Sequence, residues 1–245
     1  MKYLKFITVA VAFILMLGGN AQAVLIIDDF SDTQSLTASV PGITWDFAPG
    51  SMVGGERDLR LQLISGDFGS LKANPGSTGY LAFGLAPASI GTGRVIWDGT
   101  DGSSGLNFTG LGNLDLTETA TQAGIEMKVI SDDLPVIGGL QLDIYTNSGN
   151  WSTFLYNIPG GIPPAPSITV LAPWASFAIA GGLGADFSDV GMIRLSLGAA
   201  GVEALDFEVD YVKTYAPPSG VPEPATMLLF GSGLVGVYFL RKRIS

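Results

Sequence analysis

Leu205-Asp206-Phe207-Glu208-Val209-Asp210-Tyr211 alternates apolar and acidic residues for seven positions without a break. A period of two places alternate side chains on opposite faces of an extended strand, one face buried and one wet. The same rhythm runs through Leu59-Arg60-Leu61-Gln62-Leu63, Ile125-Glu126-Met127-Lys128-Val129, Leu140-Gln141-Leu142-Asp143-Ile144 and Ile193-Arg194-Leu195-Ser196-Leu197. Shorter strands are expected at 79–83, 94–97, 151–156, 168–171 and 174–177. Turn chemistry separates these segments, as in Asn74-Pro75-Gly76, Asp98-Gly99, Asp101-Gly102, Asn147-Ser148-Gly149-Asn150 and Gly181-Gly182. About ten strands at this spacing predict an all-β fold, an antiparallel β-sandwich of the jelly-roll kind. The strand at 205–211 contains no proline and its apolar set is unbroken, which predicts a central position paired on both sides.

The two ends read differently. Met1 to Ala23 has Lys2 and Lys5, an apolar core from Phe6 to Leu17, and Ala21-Gln22-Ala23, which fits the small-x-small rule for a cleaved signal peptide. Signal peptidase is expected to cut before Val24. At the other end Ala216-Pro217-Pro218-Ser219-Gly220 reads as a stiff linker. Val221-Pro222-Glu223-Pro224 follows, then an uncharged run from Ala225 to Leu240, then Arg241-Lys242-Arg243. As a helix the run would span roughly 24 Å, slightly short of a bilayer core. The basic triplet extends its reach and acts as a membrane stop, holding the C-terminus in the cytoplasm. The prolines keep Glu223 on an extended segment outside the membrane. The organisation is therefore 1–23 signal peptide, 24–215 ectodomain, 216–220 linker and 221–245 sorting segment with a transmembrane helix at 225–240.

Residue absences narrow the chemistry between these signals. The chain has no histidine and no cysteine, so Ser-His-Asp and Cys-His nucleophiles, thiolate or imidazole zinc sites, disulfides and lipoprotein anchors are excluded. No Walker loop or dinucleotide fingerprint occurs. Without the terminal segments, 7 of the 12 basic and 21 of the 22 acidic side chains remain, net −14. Such a surface disfavours nucleic acid and anionic lipid and favours cations. Calcium suits oxygen donors and needs no soft ligand. If the first and last strands are neighbours, Asp28 and Asp29 come close to Asp206 and Asp210, the candidate calcium ligands. Asp98 and Asp101, in a glycine-rich loop, are further oxygen donors. Trp151, beside Tyr145 after a polar turn, is the candidate sugar-stacking ring. Glu56-Arg57-Asp58 reads as an ion pair fixing the turn into 59–63, with a functional loop as the alternative.

The C-terminal order of box, apolar span and basic stop resembles the PEP-CTERM sorting signal. That resemblance implies an exported protein, processed by an exosortase and delivered to the envelope or surface of a Gram-negative-type bacterium. Ile27-Asp28-Asp29-Phe30-Ser31, Gly54-Gly55-Glu56-Arg57-Asp58 and Leu205 to Thr214 look like ectodomains found ahead of this signal, which generally resemble carbohydrate-binding jelly rolls. The resemblance implies an association with exopolysaccharide or biofilm, and the chain as a whole is expected to be a binding or matrix component and not an enzyme. Two other readings stay open: a glycan-active enzyme using paired carboxylates, and a purely structural envelope protein. Replacing Glu223 with Ala should leave export intact and abolish C-terminal processing, seen by intact mass as retention of the ~25-residue tail. Normal processing of that variant would refute an exosortase site.

Overall fold

The computed structural model describes residues 24–132, 138–158, 167–198 and 203–217. The signal-peptide residues Ala21 and Ala23, the box Val221 to Pro224, the apolar run 225–240 and the basic stop Arg241 to Arg243 lie outside the described residues. Among the described residues no helix is long and apolar enough to cross a membrane.

Among the described residues fourteen strands form two seven-stranded antiparallel sheets. In chain order they are β1 Ile26–Asp28, β2 Gln34–Ala38, β3 Gly42–Pro49, β4 Glu56–Ser65, β5 Gly69–Ala73, β6 Leu81–Leu85, β7 Ile90–Trp97, β8 Gly124–Asp132, β9 Gly138–Asn147, β10 Asn150–Ile158, β11 Ile168–Pro173, β12 Ala178–Gly181, β13 Met192–Leu197 and β14 Asp206–Tyr215. The first sheet runs β11-β8-β14-β6-β5-β2, with β1 also paired to β14. The second runs β12-β10-β9-β13-β7-β4-β3. The chain passes repeatedly from one sheet to the other, and the inward faces share one core that includes Leu59, Leu61, Leu71, Phe83, Trp97, Leu142, Leu195 and Val209. Residues Val24–Ala216 make up one compact unit.

The strand that opened the sequence reading is central as expected: β14 has β8 on one side and β6 and β1 on the other. Its alternation nevertheless breaks. Register shifts on either side of Val209, the second reaching to Tyr211, introduce an irregularity at Asp210, which turns the phase of the strand. Phe207 and Val209 are buried before it, Val212 and Thr214 after it, and Tyr211 is left half-buried on the outer face. There its hydroxyl donates to Glu126 Oε1 at 2.6 Å, Lys213 pairs with Glu126 at 3.1 Å, and Lys128 pairs with Asp210 at 2.6 Å. Burial, then the Glu126 carboxylate, push the Tyr211 phenol up to about 12.

Five strands, β1, β2, β3, β5 and β12, were not foreseen, and one expected strand is absent. Trp174–Ser176 is a single 3-10 turn. It follows Pro173; the Trp174 N–H makes one last bond in the β11–β8 register, to the Ala123 carbonyl at 3.0 Å, and the Phe177 N–H then closes the turn on the Trp174 carbonyl at 3.2 Å.

The expected pairing of Arg57 with its chain neighbours is also corrected. Arg57 points inward, fully buried, while Glu56 and Asp58 point the other way because β4 alternates. Its Nη1 meets both oxygens of Asp28 at 3.0 and 3.1 Å, its Nε donates to Gln34 Oε1 at 2.9 Å, and its Nη2 donates to the Asp32 carbonyl at 2.6 Å. Trp97 Nε1 donates to Asp28 Oδ2 at 2.9 Å and the Phe30 N–H to Asp28 Oδ1 at 2.8 Å. Removing one member of a buried pair strands the other charge. Asp28→Ala should therefore lower the unfolding free energy of the full chain by about 3–5 kcal/mol, and Asp28→Asn by less, because its amide oxygen still accepts hydrogen bonds. Urea unfolding followed by Trp fluorescence checks this, and a loss below about 1 kcal/mol for Asp28→Ala would contradict it.

Candidate functional site

The outer face of the second sheet carries the polar residues that the inner core rejects. Three of the four ectodomain arginines meet there. Arg60 on β4 stands directly opposite Arg94 on β7, Arg94 opposite Ser196 on β13, and Arg194 lies two residues along β13 on the same face. Like charges placed opposite one another are unfavourable. Arg194 is compensated: its Nε and Nη2 donate to Asp143 Oδ2 at 3.0 and 2.7 Å, and Gln141 Nε2 holds the other carboxylate oxygen at 2.9 Å.

Arg60 and Arg94 have no such partner. Among the described residues neither lies within ion-pair distance of a carboxylate. Arg60 is 9% exposed, donates through Nη2 to Gln62 Oε1 at 2.9 Å, and leaves its buried Nη1 without a hydrogen bond. Burial first, then the charges of Arg94 and Arg194, lower its pKa. Arg94 is lowered by burial and by Arg194, with Asp143 acting in the opposite sense. The arrangement is a cationic strip in a strongly acidic protein, whereas Lys128 and Lys213 on the other sheet each have a carboxylate.

Aromatic rings flank the strip. Trp45 on β3 lies opposite Arg60, whose guanidinium sits 5.7 Å from the Trp45 ring centre, and Phe47 stacks beside Trp45 at 6.2 Å. At the far side Tyr145 and Trp151 are paired across β9 and β10 and stack at 5.1 Å with their planes 12° apart. The sequence-derived pair thus comes together, but with unequal roles. Tyr145 is 5% exposed, roofed by Phe108 at 5.3 Å and capped by the Arg194 guanidinium, while Trp151 remains half-buried at the surface. Trp97 belongs to the core. Trp174 is engaged by Phe187 at 4.6 Å and by the Gln122 carbonyl at 2.9 Å, beside an open cleft of about 810 Å³.

The four aspartates expected to share calcium do not converge. β1 does pair with β14, but opposite Val212 and Lys213. Asp28 faces inward to Arg57. Asp29 accepts the Ser31 N–H in a local turn. Asp210 pairs outward with Lys128, and Asp206 lies opposite Gly84 at the other end of the strand. A different acidic group forms at one end of the arginine-bearing face. Carboxylate oxygens of Glu56, Asp58 and Asp101 lie within 4.8 Å of one another, and Asp98, the residue after β7, adjoins them. Burial, then the charges of Asp98, Glu56 and Asp101, push Asp58 up to about 8. Asp98 is raised to about 6, chiefly by burial, against the pull of the Asn107 N–H.

Comparison with known proteins adds the following. Residues 220–243 match the PEP-CTERM protein-sorting motif. No curated protein matches the chain. Among solved structures the chain is similar to a family 11 carbohydrate-binding module of the cellulosomal cellulase Lic26A-Cel5E of Clostridium thermocellum, with 13% identity over 81% of this chain and 97% of that one and a TM-score of 0.39. It is also similar to an exo-beta-agarase, with 14% identity over 79% of this chain and 25% of that one and a TM-score of 0.43. The fold assignment rests on the strand pairings themselves. The chain is a two-sheet antiparallel β-sandwich protein that carries a PEP-CTERM protein-sorting motif at residues 220–243.

Proposed function

We propose that this protein is exported, freed of its leader by signal peptidase, cut at its Pro-Glu-Pro box by an exosortase-type membrane protease, and delivered to the cell envelope or surface. There it binds an acidic extracellular polysaccharide, in the manner of a matrix or biofilm component, and it acts as a binder and not as an enzyme. The sorting-motif match supports the first part, since such a motif implies export and exosortase processing. One observation carries the second: Arg60, buried, and Arg94, half-buried, stand opposite each other on the outer face of the second sheet, with no carboxylate partner among the described residues and with Trp45 alongside. A guanidinium fork matches a carboxylate or sulfate, and an indole face suits the apolar face of a sugar ring. Trp151 gives a second ring on the same face, beyond the Asp143–Arg194 pair.

The test is a binding assay of the purified full chain on polygalacturonate, a uronate polymer, and on dextran, a neutral one. Saturable binding to the first, weakened as salt rises, is expected, with dextran bound far less. Arg94→Met should weaken binding to polygalacturonate by roughly tenfold, the worth of one charge-assisted hydrogen bond. Trp151→Ala should weaken it by less. Equal binding to both polymers, or an unchanged affinity in Arg94→Met, would overturn the acidic-ligand reading. Release of new reducing ends during incubation would overturn the non-enzymatic one.

A further inference from the structure

We propose that Glu56, Asp58, Asp98 and Asp101 form a calcium site that ties the 98–110 loop to the start of β4. The inference does not depend on the polysaccharide reading. The two halves of the site come from separate parts of the chain: Glu56 and Asp58 are i and i+2 on β4 and so share its outer face, while Asp98 and Asp101 follow β7, the strand paired with β4. Asp58 stands opposite Ile96, and continuing that register by two residues carries Asp98 to the level of Glu56.

Four carboxylates gathered in this way repel one another, and an acidic cluster alone is no site. What points to a ligand here is the state of the two most deeply placed members. Asp58 is 2% and Asp98 1% exposed, and the Oδ1 atom of each is buried with no hydrogen-bond partner among the described residues. A buried carboxylate oxygen left without a donor is costly, and buried charges are ordinarily paired or bound to metal. Among the described residues no basic side chain pairs with these four carboxylates: Arg57, between the two β4 acids in sequence, is turned into the core toward Asp28.

Three of the other oxygens are placed by backbone N–H groups. Glu56 Oε1 accepts the N–H groups of Asp101 and Gly102 at 3.1 and 2.7 Å, Asp101 Oδ1 accepts the Ser103 N–H at 2.9 Å, and Asp98 Oδ2 accepts the Asn107 N–H at 2.8 Å. Each of these carboxylates is thereby oriented through one oxygen. The loop is drawn in tightly enough that a side chain at Gly110 would meet the Asp98 carbonyl at 1.5 Å. An all-oxygen donor set selects a hard cation. Calcium accepts irregular carboxylate cages of six to eight oxygens, whereas magnesium demands near-octahedral geometry and sheds water reluctantly. Bound calcium would supply the positive charge that this cluster lacks.

Calorimetric titration of chelator-treated, purified full chain with calcium chloride, and separately with magnesium chloride, tests the site alongside thermal melts. One calcium per chain is expected, with magnesium at least roughly tenfold weaker and a rise in melting temperature with calcium. Asp98→Asn and Asp58→Asn should each weaken calcium binding by roughly tenfold or more. In chelator both variants should melt at or above the wild-type temperature, because each replaces a buried carboxyl crowded by other carboxyls with a neutral amide of the same shape. Absence of saturable calcium binding up to about 10 mM, above the weak end of extracellular calcium modules, would overturn the proposal. So would unchanged calcium affinity in both variants, magnesium binding as tight as calcium, or variants that melt below wild type in chelator.

Discussion

The buried Arg57–Asp28 pair is the constraint from which the rest of the structure follows. Arg57 sits on β4 of the second sheet. Asp28, Asp32 and Gln34 belong to the opening segment of the first, and Trp97 on β7 closes the group from the second. Gln34 Nε2 returns hydrogen bonds to the carbonyls of Asp46 and Arg57, so β3 is tied in as well. Every guanidinium nitrogen has an acceptor, which is the condition under which a buried ion pair is tolerated. Such a pair adds little net stability over apolar packing, but it admits one register only. In a strand of period two, placing Arg57 and Trp97 inside forces Glu56, Asp58 and Arg60 on β4, and Arg94 and Asp98 around β7, to the outside. The arginine strip and the carboxylate cluster are both consequences of that parity.

Much of this was legible in the chain. Strict alternation marked β4, β8, β9, β13 and β14 because each sets apolar side chains on the core face and polar ones on the other, even where the polar face is itself covered. The strands that escaped notice lack that contrast. β5, Gly69-Ser70-Leu71-Lys72-Ala73, buries a glycine and an alanine where larger apolar residues would have signalled a core face, and β2 buries Gln34, whose amide is engaged by Arg57. β3 is an edge strand with a half-buried middle and no clean period. The irregularity at Asp210 was invisible for another reason: Tyr211 is apolar enough to continue the alternation on paper, and only its hydrogen bond to Glu126 shows that it faces out.

The site was half legible. Tyr145 and Trp151 could be joined from sequence because a four-residue turn separates two adjacent strands. Arg60, Arg94 and Arg194 each occupied the wet position of a readable strand, yet nothing local says that β4, β7 and β13 are neighbours. The net charge pointed the other way, toward cations, since it averages over a surface whose charges are segregated. In the sequence Asp98 and Asp101 read as oxygen donors and Glu56 and Asp58 as partners of Arg57; only the β4–β7 pairing makes the four acids one group.

The same segregation fixes how the two ends of this face influence each other. Asp58 stands opposite Ile96, Ile96 opposite Arg194, and Arg194 opposite Asp143, so the carboxylate cluster and the arginine strip are separated by a strand or two, at about 5 Å each. That spacing is within a Debye length of roughly 8 Å at physiological ionic strength. Without a cation those carboxylates of the cluster that carry charge oppose the approach of a polyanion to Arg60 and Arg94. A divalent ion among them cancels that field and leaves the arginines as the dominant charge. Linkage makes the relation mutual: whatever favours calcium at the acidic end favours an acidic chain along the strip, and the reverse holds by the same factor. A neutral ligand would feel neither effect, so the dependence of binding on calcium separates an electrostatic use of this face from a stacking one.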